Sequence, residues 1–446
     1  MQALQILTIF LSLGLLIYLV FRGVSIFIAT PLCAIAIALL NGSDFFYAYI
    51  ETYMSGLVGF ARTWLPVFML GAIFAKVMED SGASKSIALY VVKKLGAGKA
   101  LISIAVAGAL LTYGGVSMFV ASFALYPLAL AIFREANISR KLIPATIQAG
   151  TFTFTMTALP GSPAIQNIIP TRYFDTTASA APIMGIISSI IMFGLSMFWL
   201  FHARKRYDRR GEFYDEPTVA EDSFLGADKN ELPSPLLSVL PLILVLVVHN
   251  VVPLVFTLPE FVQTNIIIPA LAVGVLSGII FNWKRIKLSN VLNKGANNSI
   301  MATLNTSAIV GFGFVIRAMP AFDALTDAIF GFDIGNPLIM LAISIYIITG
   351  ATGSSSGGMT IALDALGDRF TQLSQSTGVP LAAFHRVASI SSGAFDSLPH
   401  NGGVIILRDL SGYGYKEIYL DMFVITVAIP LITSWAAIIM GALGII

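Results

Sequence analysis

Charged residues and cysteines are scarce in this sequence of 446 residues. Only 11% of the residues are charged, against roughly 25% in an ordinary soluble domain, so the composition argues against a water-soluble protein. The single cysteine, Cys33, excludes an internal disulfide framework and a cysteine metal site. The sequence also contains no phosphate-binding loop, nucleic-acid motif or metal-ligand spacing. We therefore expect no cofactor, no metal and no nucleic-acid partner.

Apolar residues make up 57% of the sequence, and they are grouped in runs close to twenty residues long. A helix of that length can cross the ~30 Å hydrocarbon core of a bilayer. The mean hydropathy of +0.85 agrees with this interpretation. The sequence therefore predicts an all-α polytopic membrane protein that is surrounded by lipid.

The apolar runs form two similar series, which are separated by the one extended polar stretch, residues 202–235. In the first series, residues 1–201, we predict crossings at 3–21, 25–40, 55–78 and 182–201, a split segment at 100–133 and an interrupted segment at 142–171. In the second series, residues 236–446, we predict crossings at 236–256, 264–282, 298–319 and 418–444, a split segment at 336–367 and an interrupted segment at 380–407. Each series thus has five transmembrane helices, one of them broken, and the polar stretch is a linker.

Loop charges predict that the two series have opposite orientations in the membrane. Loops rich in Lys and Arg stay in the cytoplasm. The basic loop follows the third crossing of the first series but the second crossing of the second series. We therefore predict two inverted-topology repeats, with both termini external and the linker cytoplasmic. Because both flanks of segment 100–133 are basic, this segment should be a re-entrant hairpin, and by symmetry segment 336–367 should be another.

The two interrupted segments carry polar residues inside predicted membrane-spanning regions, where lipid offers no hydrogen-bond partner to an unpaired backbone group. The second contains Asp396-Ser397-Leu398-Pro399-His400-Asn401-Gly402, and its Leu-Pro pair matches Leu159-Pro160 in the first. Backbone groups inside a membrane must be paired within the protein or face a water-filled cavity. Ionisable residues at this depth usually mark a substrate or ion pathway, and many transporters build their binding sites from broken helices. The breaks therefore predict a binding site.

Three strings resemble the gluconate:proton symporter (GntP) family of the ion-transporter superfamily. They are residues 157–167 (TALPGSPAIQN), residues 353–358 (GSSSGG) and residues 396–402 (DSLPHNG). The resemblance covers essentially the whole chain, and the strings fit a branch associated with short hydroxy acids such as 3-hydroxybutyrate. It implies a symporter of the cell inner membrane that imports a small organic anion, of the gluconate or 3-hydroxybutyrate class, together with protons. It also implies alternating access by an elevator movement, and a homodimer.

The site residues are predicted at the tips of the split segments and at the breaks. A carboxylate suits the positive end of a helix dipole, and Ser and Asn side chains can bond to a carboxylate or a hydroxyl. The predicted substrate-binding residues are Gly114, Gly115, Ser117, Gly161, Ser162, Asn167, Ser354, Ser355, Ser356, Ser397, His400 and Asn401. Proton coupling needs a group that titrates near neutral pH, which a buried carboxyl or a histidine can supply. The candidates for proton coupling are Asp396, His400 and Asp364.

Other classes of protein remain alternatives at this point. A sodium-coupled carboxylate carrier or a cation antiporter on the same scaffold would hold Na⁺ with carbonyls and hydroxyls at the tips. An intramembrane hydrolase would use Ser355, Asp396 and His400, but no local signature specifies a positioned base and an oxyanion hole. A channel would repeat rings of ligands along its pore, and none is present. We therefore expect a transporter and not an enzyme.

Overall fold

A computed structural model describes residues 2–216, 232–322, 335–399 and 401–446 of the chain. Within these ranges the regular structure is entirely helical. The first series contains α1 (Gln2–Phe21), α2 (Ile26–Leu40), α3 (Phe45–Asp80), α4 (Ala83–Leu95), α5 (Ala100–Tyr113), α6 (Met118–Glu135), α7 (Ile143–Thr151), α8 (Ile165–Phe174) and α9 (Pro182–Arg209). The second contains α10 (Pro235–Asn250), α11 (Ile267–Phe281), α12 (Leu288–Arg317), α13 (Pro337–Thr352), α14 (Ser355–Thr377), α15 (Leu381–Ser392), α16 (Gly402–Ser411) and α17 (Tyr415–Ala442).

Six helices in the described ranges are long and apolar enough to cross a membrane. They are α3, α6, α9, α10 with the short turn after it, α12 and α17. Shorter apolar helices include α2, α5 and α11. The predicted all-α polytopic membrane class is therefore confirmed. His400 and the middle of the predicted linker, residues 217–231, lie outside the described residues.

Both split segments form helical hairpins. In the first, α5 and α6 are joined by residues 114–117, and Gly115 adopts a φ of +94°. In the second, α13 and α14 are joined by Gly353, with a φ of +61°, and Ser354. Glycine reaches this left-handed region without the steric cost that a Cβ atom would impose. The chain can therefore reverse direction within two to four residues at each tip.

Both interrupted segments form broken helices. The first stops at Thr151 and starts again as α8, and the second stops at Ser392 and starts again as α16. Prolines lie in both breaks, and a proline has no N–H group with which to continue a helix. The two broken helices touch, because the Ser389 hydroxyl donates a 2.7 Å hydrogen bond to the Thr157 carbonyl. The two interruptions therefore lie next to each other in the fold.

Three boundaries differ from the sequence-based expectations. Helix α3 begins ten residues before the predicted position 55, at Phe45, since the Asp44 side chain caps it by accepting from the Phe46 and Tyr47 amides. The basic loop predicted after the third crossing of the first series contains a helix, α4, which buries Ile87 on one face. The linker was expected to start at 202, but α9 continues to Arg209.

Buried ion pairing explains why α9 extends so far. The Arg206 guanidinium donates to both carboxylate oxygens of Asp421 on α17, at 2.8 and 2.7 Å, and the Tyr207 hydroxyl donates to the same carboxylate at 3.0 Å. Asp421 is 1% exposed, so this pairing is shielded from water. Hydrogen bonds between an arginine and a carboxylate are among the stronger polar contacts in proteins. The pair therefore holds α9, the last helix of the first series, against α17, the last helix of the second series.

The segment after α9 is attached to the base of the first hairpin. Asp215 accepts hydrogen bonds from Arg140, at 2.9 Å, and from the Tyr413 hydroxyl. Burial acts to raise the pKa of Asp215, but these two donors outweigh it and hold the pKa below its ordinary value. Lys141 pairs with Glu212 at 2.7 Å. Residues 211–216 therefore run along the ends of α6, α7 and α17.

The helices pack as two groups with different character. We call α1–α3 and α10–α12 the wall, and α5–α9 with α13–α17 the hairpin body. In the wall, α12 lies along α3, and glycines allow the close approach: a Cβ atom at Gly295 would lie 2.7 Å from Ile73 Cα. Where the groups meet, the contacts include apolar residues such as Leu242 against Gly114 and Ile309 against Gly357.

Candidate functional site

One cavity of about 700 Å³ lies between the wall and the hairpin body. Four helices of the hairpin body begin at this cavity: α6 and α14 at the hairpin tips, and α8 and α16 at the breaks. The first-turn N–H groups of a helix have no partner within the helix, and the dipole places partial positive charge there. The four helix starts therefore direct positive potential into one space.

Side-chain caps hold these helix starts in place. The Asn401 Oδ1 atom accepts from the amides of Gly403, at 2.7 Å, and Val404, at 3.3 Å, at the start of α16. The Ser354 hydroxyl accepts from the Gly357 amide at 3.2 Å at the start of α14. Asn and Ser are strong capping residues because a short side chain reaches the second or third amide of the helix. First-turn amides that no cap occupies, such as the amide of Gly402, are available to a ligand.

The second hairpin tip and the second break are also bonded to each other. The Asn401 Nδ2 atom donates to the Gly353 carbonyl at 3.2 Å. The hydroxyls of Ser355 and Ser392 are 2.8 Å apart. Asn401 and Ser355 are buried, so these bonds lie in a protein environment rather than in water. Tip and break therefore form one structural unit at the cavity.

Asp396 is the one charged side chain among the described residues that line the cavity. It is 4% exposed, and its Oδ1 atom accepts a 2.9 Å hydrogen bond from the Ser397 hydroxyl. None of the described lining residues is a Lys, Arg or His. A carboxyl group that lines a cavity can exchange a proton with water inside that cavity. Any anion bound here must therefore be held by dipoles, hydroxyls and amides.

The structure brings part of the predicted site together. The predicted residues that line the cavity are Gly115, Ser117, Ser354, Ser355, Ser356, Asp396 and Asn401. They come from both hairpin tips and from the second break. His400, predicted for both substrate binding and proton coupling, lies outside the described residues.

The other predicted residues lie away from the cavity lining. Gly114 packs on Leu242, Gly161 packs on Asn250, and the Ser397 hydroxyl is turned to Asp396. Ser162 also has a local partner: its hydroxyl donates to a carbonyl within the first break, that of Thr155, at 2.8 Å. Asp364 accepts from the Tyr173 hydroxyl at 2.5 Å and thereby joins α14 to α8.

Asn167 belongs to a buried cluster that holds the two broken helices together. Its Nδ2 atom donates to the carbonyls of Ser162, at 2.9 Å, and Ala178, at 2.8 Å. Its Oδ1 atom accepts from Arg386 Nη1 at 2.8 Å, and Arg386 donates again to the Ala180 carbonyl at 2.7 Å. Both side chains are 0% exposed. Asn167 was predicted to bind substrate, but its hydrogen-bonding capacity is taken up by the fold.

Several polar lining residues were not predicted from the sequence. Gln166 contributes an amide from α8, and α12 contributes Asn298, Ser299, Asn305 and Thr306. A signal for the α12 residues exists, because Asn-Asn-Ser at 297–299 and Asn-Thr-Ser at 305–307 interrupt a hydrophobic run at a spacing close to two helical turns. They were not predicted because the hydrophobic run at 298–319 indicates a plain crossing.

Comparison with known proteins places the chain in a family. The model of the GntP family permeases matches residues 4–367. A transporter of Bacillus subtilis (strain 168), the uncharacterized YxjC, is 38% identical over 453 residues, which covers 95% of this chain and 96% of the relative. The chain belongs to the GntP permease family. A GntP permease is a membrane transporter and not an enzyme, so both of these expectations are confirmed.

Further relatives of this GntP permease are also transporters. The high-affinity gluconate transporter of Escherichia coli (strain K12) is 28% identical over 172 residues, 37% of this chain and 38% of that protein. Among solved structures, the YdaH transporter of Alcanivorax borkumensis matches with a TM-score of 0.59 and 14% identity, covering 94% of this chain and 98% of the other. The MtrF structure of Neisseria gonorrhoeae matches with a TM-score of 0.54 and 13% identity, covering 90% and 85%. At these identities the structural matches show a shared fold.

Proposed function

We propose that this GntP permease is a symporter that imports a small organic anion, a hydroxy acid of the gluconate or 3-hydroxybutyrate class, together with protons. The observation that carries the proposal is the convergence of four helix starts on one cavity, beside the one carboxyl group of its described lining residues. The gluconate specificity stated for the Escherichia coli relative supports the substrate class.

The anion is held without a formal positive charge among the described lining residues. Each helix start is equivalent to roughly half a positive charge, and its free amides can donate to a carboxylate. Hydroxyls of the hairpin tips, such as those of Ser117 and Ser356, can donate to the same group. Such a site attracts an anion and still releases it, because no ion pair has to be broken. Release is as necessary as binding for transport.

Asp396 couples the anion to the proton in this proposal. An ionised Asp396 repels a carboxylate bound in the same cavity, whereas a protonated Asp396 does not. Binding of a proton therefore favours binding of the anion, and by linkage the anion favours the proton by the same factor. His400 and Asp364 remain proposed partners in the proton path. The alternative, sodium coupling, is an outcome of the test below.

Alternating access would move the hairpin body past the wall, in an elevator-type movement. The network around Asn167 and Arg386 ties the broken helices to each other, which suits a body that moves as a unit. The apolar contacts at Leu242 and Ile309 suit a surface that slides.

The proposed placement follows the charge distribution of the loops. The permease would lie in the cell inner membrane as two inverted repeats, with the first hairpin entering from the cytoplasm and the second from outside. Both termini would be external, the linker would be cytoplasmic, and the protein would be a homodimer. Labelling of single cysteines in a Cys33→Ser background tests the sidedness, starting with positions 85 and 284.

Uptake into proteoliposomes tests the proposed function. Labelled 3-hydroxybutyrate, gluconate and D-serine are supplied while a proton gradient and a sodium gradient are imposed separately. We expect the proton gradient to drive accumulation of a hydroxy acid, with little uptake of the amino acid. Accumulation driven by the sodium gradient alone would replace proton coupling with sodium coupling. Absence of uptake for every organic acid would refute the substrate class.

A further inference from the structure

Two asparagine side chains of the wall face the cavity without a hydrogen-bond partner among the described residues. They are Asn298 and Asn305 of α12. Their polar neighbours differ, because the Ser299 hydroxyl donates to the Ala296 carbonyl and the Thr306 hydroxyl to the Ala302 carbonyl within the same helix. The serine and threonine are thus satisfied locally, and the two amides remain available to a ligand.

The spacing of the two asparagines places them on one face of α12. They are seven positions apart, which is close to two turns and roughly 10 Å along the axis. Ala302 and Ile309 line the cavity on the same face. An amide offers both an acceptor oxygen and two donor hydrogens, which is the complement of a hydroxyl group. This face therefore suits the hydroxyl-bearing part of a substrate whose carboxylate sits at the helix starts opposite.

The two parts of the site belong to different bodies. The four helix starts are in the hairpin body, and both asparagines are in the wall. Among the lining residues, Asn298 in the N-terminal half of α12 and Gly402 at the start of α16 are exposed, which favours an opening of the cavity on that side. If the hairpin body moves past the wall, the bound carboxylate travels with the helix starts and leaves the two asparagines behind.

We propose that Asn298 and Asn305 are substrate-binding residues that act on one side of the membrane only. They bond to the hydroxyl groups of the substrate while the cavity opens at the N-terminal end of α12, the end predicted to be cytoplasmic, and lose contact in the opposite state. This inference rests on the proposed transport function and on a movement between the two bodies. The two asparagines therefore contribute to the affinity for substrate on the cytoplasmic side.

The test compares transport from the two sides in vesicles of opposite orientation. Asn298→Ala and Asn305→Ala are measured with labelled gluconate, whose several hydroxyl groups can reach both amides, in right-side-out and inside-out vesicles. We expect KM from the cytoplasmic side to rise about 3- to 10-fold for each variant, since one hydrogen bond is worth about 0.5–1.5 kcal/mol. KM from the external side should stay within about twofold. Asn297→Ala is the matched control, because Asn297 is adjacent and exposed but does not line the cavity.

A second comparison separates hydroxyl binding from a change in the fold. Butyrate carries a carboxylate but no hydroxyl, so we expect its inhibition constant from the cytoplasmic side to be the same in wild type and in the alanine variants. Asn305→Ser, which keeps a smaller hydrogen-bonding group, should give an intermediate KM. A rise of KM on both sides, or an equal loss for butyrate, would overturn the inference while wild-type uptake continues to support the proposed function. Failure of the wild type to transport any organic acid would instead refute the proposed function, and this inference with it.

Discussion

Replacing Asp396 by asparagine removes the one charge at the described cavity lining while nearly keeping the shape. The Ser397 hydroxyl can still donate to the amide oxygen, as it now donates to the carboxylate at 2.9 Å. We expect the variant to bind the anion with an affinity that no longer depends on pH. It should exchange substrate across the membrane but should not use a proton gradient to accumulate it.

The size of the effect follows from Coulomb's law. Two unit charges about 6 Å apart repel by about 3 kcal/mol at an effective dielectric constant of about 20. For a carboxylate bound at that separation from Asp396, deprotonation should weaken anion binding by roughly a hundredfold. The wild type should therefore lose substrate affinity as the pH rises through the titration of Asp396. The Asp396→Asn variant should keep the high-affinity value across the same range.

Two assays on the same proteoliposomes separate exchange from coupled accumulation. Counterflow of labelled against unlabelled hydroxy acid measures exchange, which needs no net proton movement, between pH 5 and pH 8. Uptake under an imposed proton gradient measures coupling. Asp409→Asn is the matched control, because Asp409 is a surface aspartate that pairs with Arg408 outside the cavity. An Asp396→Asn variant that still accumulates substrate against a gradient in a pH-dependent way would refute the reasoning.

Three further predictions concern how the site is held together. Gly161→Ala should lower the melting temperature, because Gly161 has a φ of +72° and a Cβ atom would lie 2.6 Å from Asn250 Oδ1; a variant as stable as the wild type would contradict this clash. Arg386→Ala should cost about 2 kcal/mol or more, because buried acceptors lose their donor; an unchanged melting temperature in detergent would contradict this. Asp215→Asn should increase hydrogen exchange of residues 211–216 at pH 7, because it breaks the contact with Arg140. Since the pKa of Asp215 is lowered, this contact persists from neutral pH to below about pH 4 and is lost as the pH falls through that lowered pKa. Equal exchange in wild type and variant at pH 7 would contradict a stabilising role of the contact.

The hairpins and breaks were predictable because the bilayer restricts what a chain can do. Glycines at 114–115 and 353, and prolines at 160 and 399, stand out against long apolar runs. A helix interrupted in lipid has to fold back or meet a cavity, so these local signals carry information about the tertiary fold. The same strings also gave the family resemblance, which the family model then confirmed.

Other features of the site depend on tertiary packing. Asn167 lies in the string 157–167 of the first break, and Arg386, which is far away in sequence, donates to its side chain. Asn298 and Asn305 were not predicted, because the face of α12 that lines the cavity is known only from the packed structure. Helix α4 was predicted to be a loop because of its lysines. Its buried face, which includes Ile87, is known only from the packed structure.

Proton movement that accompanies substrate entry tests the central claim most directly. Proteoliposomes that contain a pH-sensitive dye, with no gradient imposed and sodium absent, receive unlabelled 3-hydroxybutyrate or gluconate from outside. We expect the interior to become acidic as the anion enters, the wild-type protein to be required, and Asp396→Asn to abolish the change. Substrate entry without acidification, or entry that requires sodium, would contradict proton coupling.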